Sequence, residues 1–493
     1  MTVDRSWLET FKANTPGAFS TYAPVGEVST VFVDCQLKLQ CPQSIHSWDL
    51  WFEALYARPI QRYLSMAGVK TLVIAFDDYT YSPMAKGPTQ AKRKSRCEVP
   101  SWTELCELPP TIPDNYPNLL FNRNFKKRVI NFALSEIKRV CKVVRPDQKV
   151  VIDYEDRPYV VLGVGASRPA TDTHEAEDTT EFEVACGLGE SDVKWTRYTA
   201  WGPMLLDAID SDYVVIGCAT IERLGLAAPK IFVRRLLLLP SNAAVSAVAE
   251  AAGEVAPTVP KGKKRAVGGG VVGAATKAKP LGRQYEFVDC GKVVEGLRGT
   301  VGLITPDALK PYMVRLLTHS ISLCGCDFTK GVPWLNGTTA QRNMPLLWPG
   351  LCKAASIDPE TDSVVLDPRV VAEDYIGLLW KKVQFKKQCV GLQSAGFEQL
   401  YHTLKNDESI SAFRRDRLVS PEEMSCLVRN GNWVASYWSV PEKTPCALEG
   451  DFGFFRQGKG KVQFDLSTPL PPATAATTAK RVAPHVWFSP GGD

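Results

Sequence analysis

Short unbroken apolar runs and longer periodic ones alternate along the first 300 residues. "STVFVDC", starting at Ser29, and "KTLVIAFD", starting at Lys70, are compact β-branched runs that end in Asp34 and Asp77. Runs of this length and composition predict buried strands. Between them "HSWDLWFEALYARPIQRYLSMAG" predicts an aromatic helix, and strand, helix, strand predicts a parallel sheet. "NFKKRVINFALSEIKRVCK" places Val129, Ile130, Ala133, Ile137 and Val140 at helical spacing, and "QKVVIDYEDRPYVVLG" predicts a strand with a turn. "GESDVKWTRYTAW" predicts a helix opened by Gly189 and closed by Gly202 and Pro203. It leads into an apolar run from Met204 that gives way to Asp210 and Asp212, and a further apolar run follows at once.

"KIFVRRLLLLP" and "QYEFVDCGKVV" predict strand-like flanks around residues 241–283, an Ala/Gly/Val-rich, partly basic stretch expected to be a flexible excursion. Residues 82–96 are basic and 97–121 proline-rich, a loop or cap; "ATDTHEAEDTTE" predicts an exposed acidic loop. Residues 305–440 predict mostly helix. The expected fold class is α/β, a mainly parallel twisted sheet flanked by helices with a helical C-terminal region. The expected organisation is a core over 1–240, the insert 241–283, the rest of the core over 284–345, a helical region over 346–465 and a disordered or docking tail over 466–493.

Composition narrows the classes. With 493 residues, 45% hydrophobic and 23% charged, the chain has the profile of an ordinary globular protein and excludes wholesale disorder or a fibre. No apolar run reaches the roughly 18–20 residues that span a bilayer, and the first residues lack a cationic start with an apolar block, so an intracellular location is expected. The 14 cysteines form no CxxC pair and no zinc spacing, so reduced thiols are expected. With five histidines in the whole chain, carboxylates are the main candidates for metal or acid–base chemistry. A net charge of +5 permits an anionic partner without demanding one.

Asp34, Asp77, Asp210 and Asp212 all stand where a predicted strand runs out. In an open parallel sheet the loops beyond the carboxyl ends converge, so acids distant in sequence can meet there. Like charges brought so close raise one another's pKa, and divalent cations relieve that cost. Mg²⁺ prefers carboxylate and water oxygens, and two ions about 3.5–4 Å apart stabilise the attacking and leaving oxygens of phosphodiester cleavage.

The ordered motifs "VFVDC" (Asp34), "VIAFDD" (Asp77), "GESDVK" (Glu190, Asp192), "DSDYVVIG" (Asp210, Asp212) and "LCGCDFTKGVP" (Asp327) resemble those of the flap endonuclease and XPG-type structure-specific nucleases of the PIN-like class, over residues 1–345. The resemblance implies a PIN-like fold whose seven acids hold two Mg²⁺ or Mn²⁺ ions. Glu190, Asp192, Asp210 and the strand-end acids would serve the first ion, Asp212 and Asp327 chiefly the second. It also implies a cationic pair on the scissile phosphate; Lys86 and Arg93, two helical turns apart, are the positions offered.

The implied activity is hydrolysis of 5′-flap or 5′-end DNA in replication, repair or recombination. Alternatives are an RNA-directed nuclease, such as a 5′-to-3′ exoribonuclease or viral RNA-degrading relative, and a non-catalytic nucleic-acid-binding scaffold. The expected partner is therefore nucleic acid, DNA before RNA, with no membrane, no sliding-clamp box and a monomeric state. Glu175 and Glu177 compete with Glu190 and Asp192; the interval to Asp210, one helix and one strand, favours the latter. Each of these residues also has an ordinary reading. A lone Asp after a strand usually caps a turn; Lys86 and Arg93 could be solvated charges. His174 belongs with an acidic loop, "GVGAS" with a hairpin turn, and Cys324 and Cys326 with small buried positions. "KGKKR" (261–265) fits a nuclear signal, a viral-compartment or polyanion contact, or mere solvation.

Overall fold

The computed structural model describes residues 5–39, 45–77, 108–141, 145, 147–154, 159–162, 188, 190–208, 210–237, 284–326, 328–441, 454–457 and 461–464. Its strands in chain order are β1 (Phe19–Ser20), β2 (Thr30–Asp34), β3 (Thr71–Ala75), β4 (Lys149–Asp153), β5 (Tyr159–Leu162), β6 (Met204–Asp207), β7 (Ile231–Leu237) and β8 (Gln284–Asp289). They form one eight-stranded sheet in the order β1-β8-β7-β6-β2-β3-β4-β5. The five central strands, β7 through β4, are parallel; β5 and β8 pair antiparallel at either side, and β1 extends β8.

Every residue of β2, β3 and β6 is buried, as expected of strands covered on both faces. Side-chain alternation divides them. Phe32, Val73, Val151, Leu206 and Val233 feed one core, and Val31, Val33, Leu72, Ile74, Ile152 and Leu205 the other. The second core is closed by the helical run through Trp51, Tyr56 and Ile60 and by the helix Arg123–Val140, whose Val129, Ile130, Ala133 and Ile137 face inward as their spacing predicts. The first is closed by the helices Asp212–Leu224, Cys290–Thr300, Met313–Cys324 and Pro421–Ser439. It continues without a break from Phe32 to Trp438, so residues 313–440 pack on the same core as the sheet.

Within that helical region lies one hairpin, β9 (Ala355–Asp358) with β10 (Ser363–Leu366). The Asn432 amide accepts from Leu366 N and donates to Leu366 O, at 3.0 and 2.9 Å, which ties the hairpin to the last long helix. The segment predicted as one helix from Gly189 to Gly202 is a single α-turn, Ser191–Lys194, followed by a 3₁₀ stretch, Trp195–Trp201. Aromatic and β-branched residues there favour helix weakly, and short i to i+3 turns tolerate them. Gly202 stops it at φ 96, where a Cβ would meet Ser29 Oγ at 2.9 Å. No helix among the described residues is long and apolar enough to cross a membrane.

The central strands are crossed in the spatial sequence β4, β3, β2, β6, β7, so the chain builds outward from β2 in one direction and then in the other. The reversal lies between β2 and β6. In doubly wound sheets the crevice for a ligand opens at the carboxyl ends of the strands flanking that reversal.

Candidate active site

Asp34 is the last residue of β2, and Asp77 follows the end of β3 by two residues. The register pairs Asp34 with Ala75, and Cys35 N donates to Ala75 O at 2.9 Å, so both strands deliver their acids at the same level. The bridge between the acids is Ser191. Its hydroxyl lies 2.7 Å from Asp77 Oδ1 and 3.0 Å from Asp34 Oδ1, and its backbone N–H donates to Asp77 Oδ1 at 2.9 Å. The turn "GESD" is thereby fastened to both strand ends, with Glu190 buried on one side of Ser191 and half-buried Asp192 on the other.

The Asp34 carboxyl also accepts from Tyr213 Oη at 3.0 Å and from Gln36 N at 2.9 Å. Burial, reinforced by the charge of Asp77, pushes its pKa up to about 7 in spite of those hydrogen bonds. Tyr213 is held well above the usual phenol range, first by burial and then by the charges of Asp34 and Asp192. It is the second residue of the helix Asp212–Leu224, so the "DSD" segment packs against the same point. Asp210 Oδ1 accepts from Asp212 N at 3.4 Å, and Asp212 is buried at the helix start. Burial, with a smaller contribution from the charge of Asp212, raises the Cys326 thiol to about 11. Cys326 is buried and Cys324 half-buried.

Two buried ion groups that sequence reasoning missed brace this edge. Lys194 is fully buried, donates to Phe76 O at 2.7 Å and pairs with Asp153 Oδ1 at 3.2 Å. Arg197 and the Tyr198 hydroxyl complete the Asp153 shell at 3.4 and 2.7 Å. Burial alone would raise Asp153, but Lys194 and Arg197 hold it below the carboxylate range. The second group is Asp207, at the end of β6, with Lys38 at 2.8 Å and Arg234 at 2.6 Å. Those two cations outweigh burial and keep Asp207 at about 2. Asp207 has the parity of Leu205 and Asp34 that of Phe32, so the two acids leave neighbouring strands toward opposite faces. "VVID" ends in an acid just as "VFVD" does, and that shared pattern was the available signal for Asp153.

The structure thus joins Asp34 and Asp77 at Ser191, with Glu190 and Asp192 flanking that serine in the chain, and links Asp34 to Tyr213, which follows Asp212 and Asp210 at the start of its helix. Asp327, Lys86 and Arg93 lie outside the described residues, as do His174, Glu175, Glu177, "GVGAS" and "KGKKR". The donors are hard oxygens, the kind Mg²⁺ prefers. Among the described residues no three acids, cysteines or histidines converge closely enough to form a ligand set for one ion. No protein-family model matches the chain, and no curated protein sequence matches it.

Proposed function

We propose that the protein is a Mg²⁺-dependent nuclease of PIN-like fold that hydrolyses phosphodiester bonds in structured nucleic acid, with 5′-flap and 5′-ended DNA as its leading substrates. The observation that carries this reading is the joint at Ser191, where acids from the ends of β2 and β3 are hydrogen-bonded to the turn that bears Glu190 and Asp192. A folded chain gains nothing from packing like charges at a sheet edge, and a surface for binding a polyanion gains less. Divalent cations would make the cluster favourable. When bound, a pair of Mg²⁺ ions would supply Lewis-acid stabilisation of the attacking and leaving oxygens.

In this reading Asp34, Asp77, Glu190, Asp192, Asp210 and Asp212 would hold the ions, and Asp327 would join them as the resemblance implies. Ser191 orients Asp34 and Asp77 by hydrogen bonds to one oxygen of each. Tyr213, kept protonated, orients Asp34 from the other oxygen. Lys194 and Asp153 fix the backbone at Phe76 and so the approach of Asp77.

The test is digestion of labelled 5′-flap, nicked, hairpin and single-stranded DNA, with matched RNA, in Mg²⁺ and in EDTA. Cleavage that needs Mg²⁺ and disappears in Asp210→Asn, with binding retained, is expected. Preference for the RNA strands would move the substrate to RNA. A folded, Mg²⁺-loaded protein that cuts none of them would overturn the reading.

A further inference from the structure

Beyond the acids, the strongest unexplained surface is basic and aromatic, and it lies in the region 380–417 that the proposed chemistry does not use. Lys382, Lys386 and Lys387 are exposed, and the sequence from Trp380 to Phe397 contains no acid. Phe385, buried among them, meets the Trp334 ring edge to face at 5.3 Å. Arg414 reaches across from the short helix Ala412–Arg415: its guanidinium lies 4.6 Å from the Phe385 ring and donates to Gln384 O at 3.2 Å. Arg414 and Arg417 each stand 5.8 Å from the Trp334 centroid, and Arg417 is 5.5 Å from Phe413. Phe413 itself is 70% exposed. The one acid between these arginines, Asp416, pairs away with Lys405 at 3.6 Å.

We infer that this surface is a seat for single-stranded nucleic acid, bound without sequence preference. The lysines and guanidiniums offer charge to a phosphate backbone, and the open Phe413 ring offers a face on which an unpaired base can stack. A duplex keeps its bases stacked on one another and presents its backbone, so it would use the charges and leave the ring idle. Trp334 reinforces the assignment. It adopts φ 62, a backbone region that a bulky residue rarely enters, and is held there against Phe385 with both arginines at its ring. Eight positions separate Trp334 from Cys326 in the last acid motif, so the two lie at most about 29 Å apart. As a partner for the acidic crevice the seat rests on the nuclease reading, though its binding does not.

The experiment is fluorescence anisotropy of the full chain in EDTA with labelled dT12 and a 12-base-pair duplex over a salt series. Single strand should bind tighter than duplex. Lys386→Glu/Lys387→Glu should weaken dT12 at least about tenfold and lower the salt slope by roughly 1.4, two phosphate contacts on a single strand. Phe413→Ala should weaken dT12 about five- to tenfold, leave duplex binding unchanged and be rescued by Phe413→Trp. The charge-matched control Arg62→Glu/Lys70→Glu, on exposed residues of the opposite sheet face, should change little. Equal binding of duplex, equal losses in the control, or an unchanged Phe413→Ala would overturn the seat. Because no metal is present, binding without any later cleavage defeats the nuclease reading alone, and cleavage indifferent to these variants defeats the seat alone.

Discussion

The Ser191 hydroxyl lies 2.7 Å from Asp77 Oδ1, and the same oxygen accepts the Ser191 backbone N–H. Both donors of one residue thus hold an acid that follows a strand far away in sequence. Ser191→Ala keeps the backbone bond and removes the hydroxyl from both Asp77 and Asp34. A hydrogen bond to a charged group contributes about 1.5–3 kcal/mol, and a loss in that range is expected in urea unfolding at pH 8. A variant as stable as the parent would show that Ser191 does not fasten the turn.

Acidity should stabilise the metal-free protein over part of the range. Asp34 and Glu222 are each pushed up to about 7 by burial, Glu222 in spite of the Val314 and Arg315 backbone donors. The folded chain therefore holds protons that the unfolded chain has released. Their stabilisation is complete below the ordinary carboxyl values and is lost as pH rises through about 7. The urea midpoint should fall between pH 5 and pH 8, and Asp34→Asn should flatten part of that fall. A midpoint level across this window would contradict the environment described for Asp34.

At lower pH the sign reverses. Asp207 is held at about 2 and Asp153 is also lowered, so their contribution is present above the ordinary Asp value and is lost as pH drops through the folded ones. Acid titration followed by circular dichroism should show unfolding below about pH 4 in the parent. In Asp207→Asn that limb should shrink, at the expense of stability near neutrality.

Lys194 and Asp153 are both fully buried and paired at 3.2 Å. Removing Lys194 leaves the buried Asp153 with Arg197 and the Tyr198 hydroxyl alone, a loss of up to about 3–5 kcal/mol, and neutralising Asp153 as well relieves part of it. Lys194→Met should therefore be severely destabilising, and Asp153→Asn in the same chain should restore a large part of the loss. Additive losses in a double-mutant cycle would show that the two charges do not compensate one another.

Gly350 separates the helix Met344–Ala354 from the segment after Val370 by almost nothing: a Cβ there would sit 2.1 Å from Asp374 O. Gly350→Ala requires backbone to move, and a loss of about 3 kcal/mol or more in thermal unfolding is expected. Near-parent stability would mean that the two segments can part cheaply.

What the sequence disclosed of this site follows from burial. β2 and β3 are covered on both faces, so they appear as unbroken apolar runs and the acids that end them, Asp34 and Asp77, stand out. Around β6 the reading is harder, because Asp207, Asp210 and Asp212 crowd within six residues and nothing local says which face each takes. The register of Val33 with Asp207 decides it, sending Asp207 to Lys38 and Arg234 rather than to Asp34. Lys194 was equally opaque, since its partner Asp153 is brought to it by the pairing of β3 with β4. The reversal of strand order between β2 and β6 is a property of the assembled sheet and has no local signature.

The pairing of β7 with β8 runs to its last residues, Leu237 opposite Gln284. The residues on either side of 238–283 therefore face one another across a single rung of the ladder. Antiparallel neighbours need as little as two residues to join them. Splicing Asn-Gly in place of that whole stretch should yield a chain that still folds, and the same rung is a place where evolution or an engineer can hang a foreign module without disturbing the acids on the far side of β6.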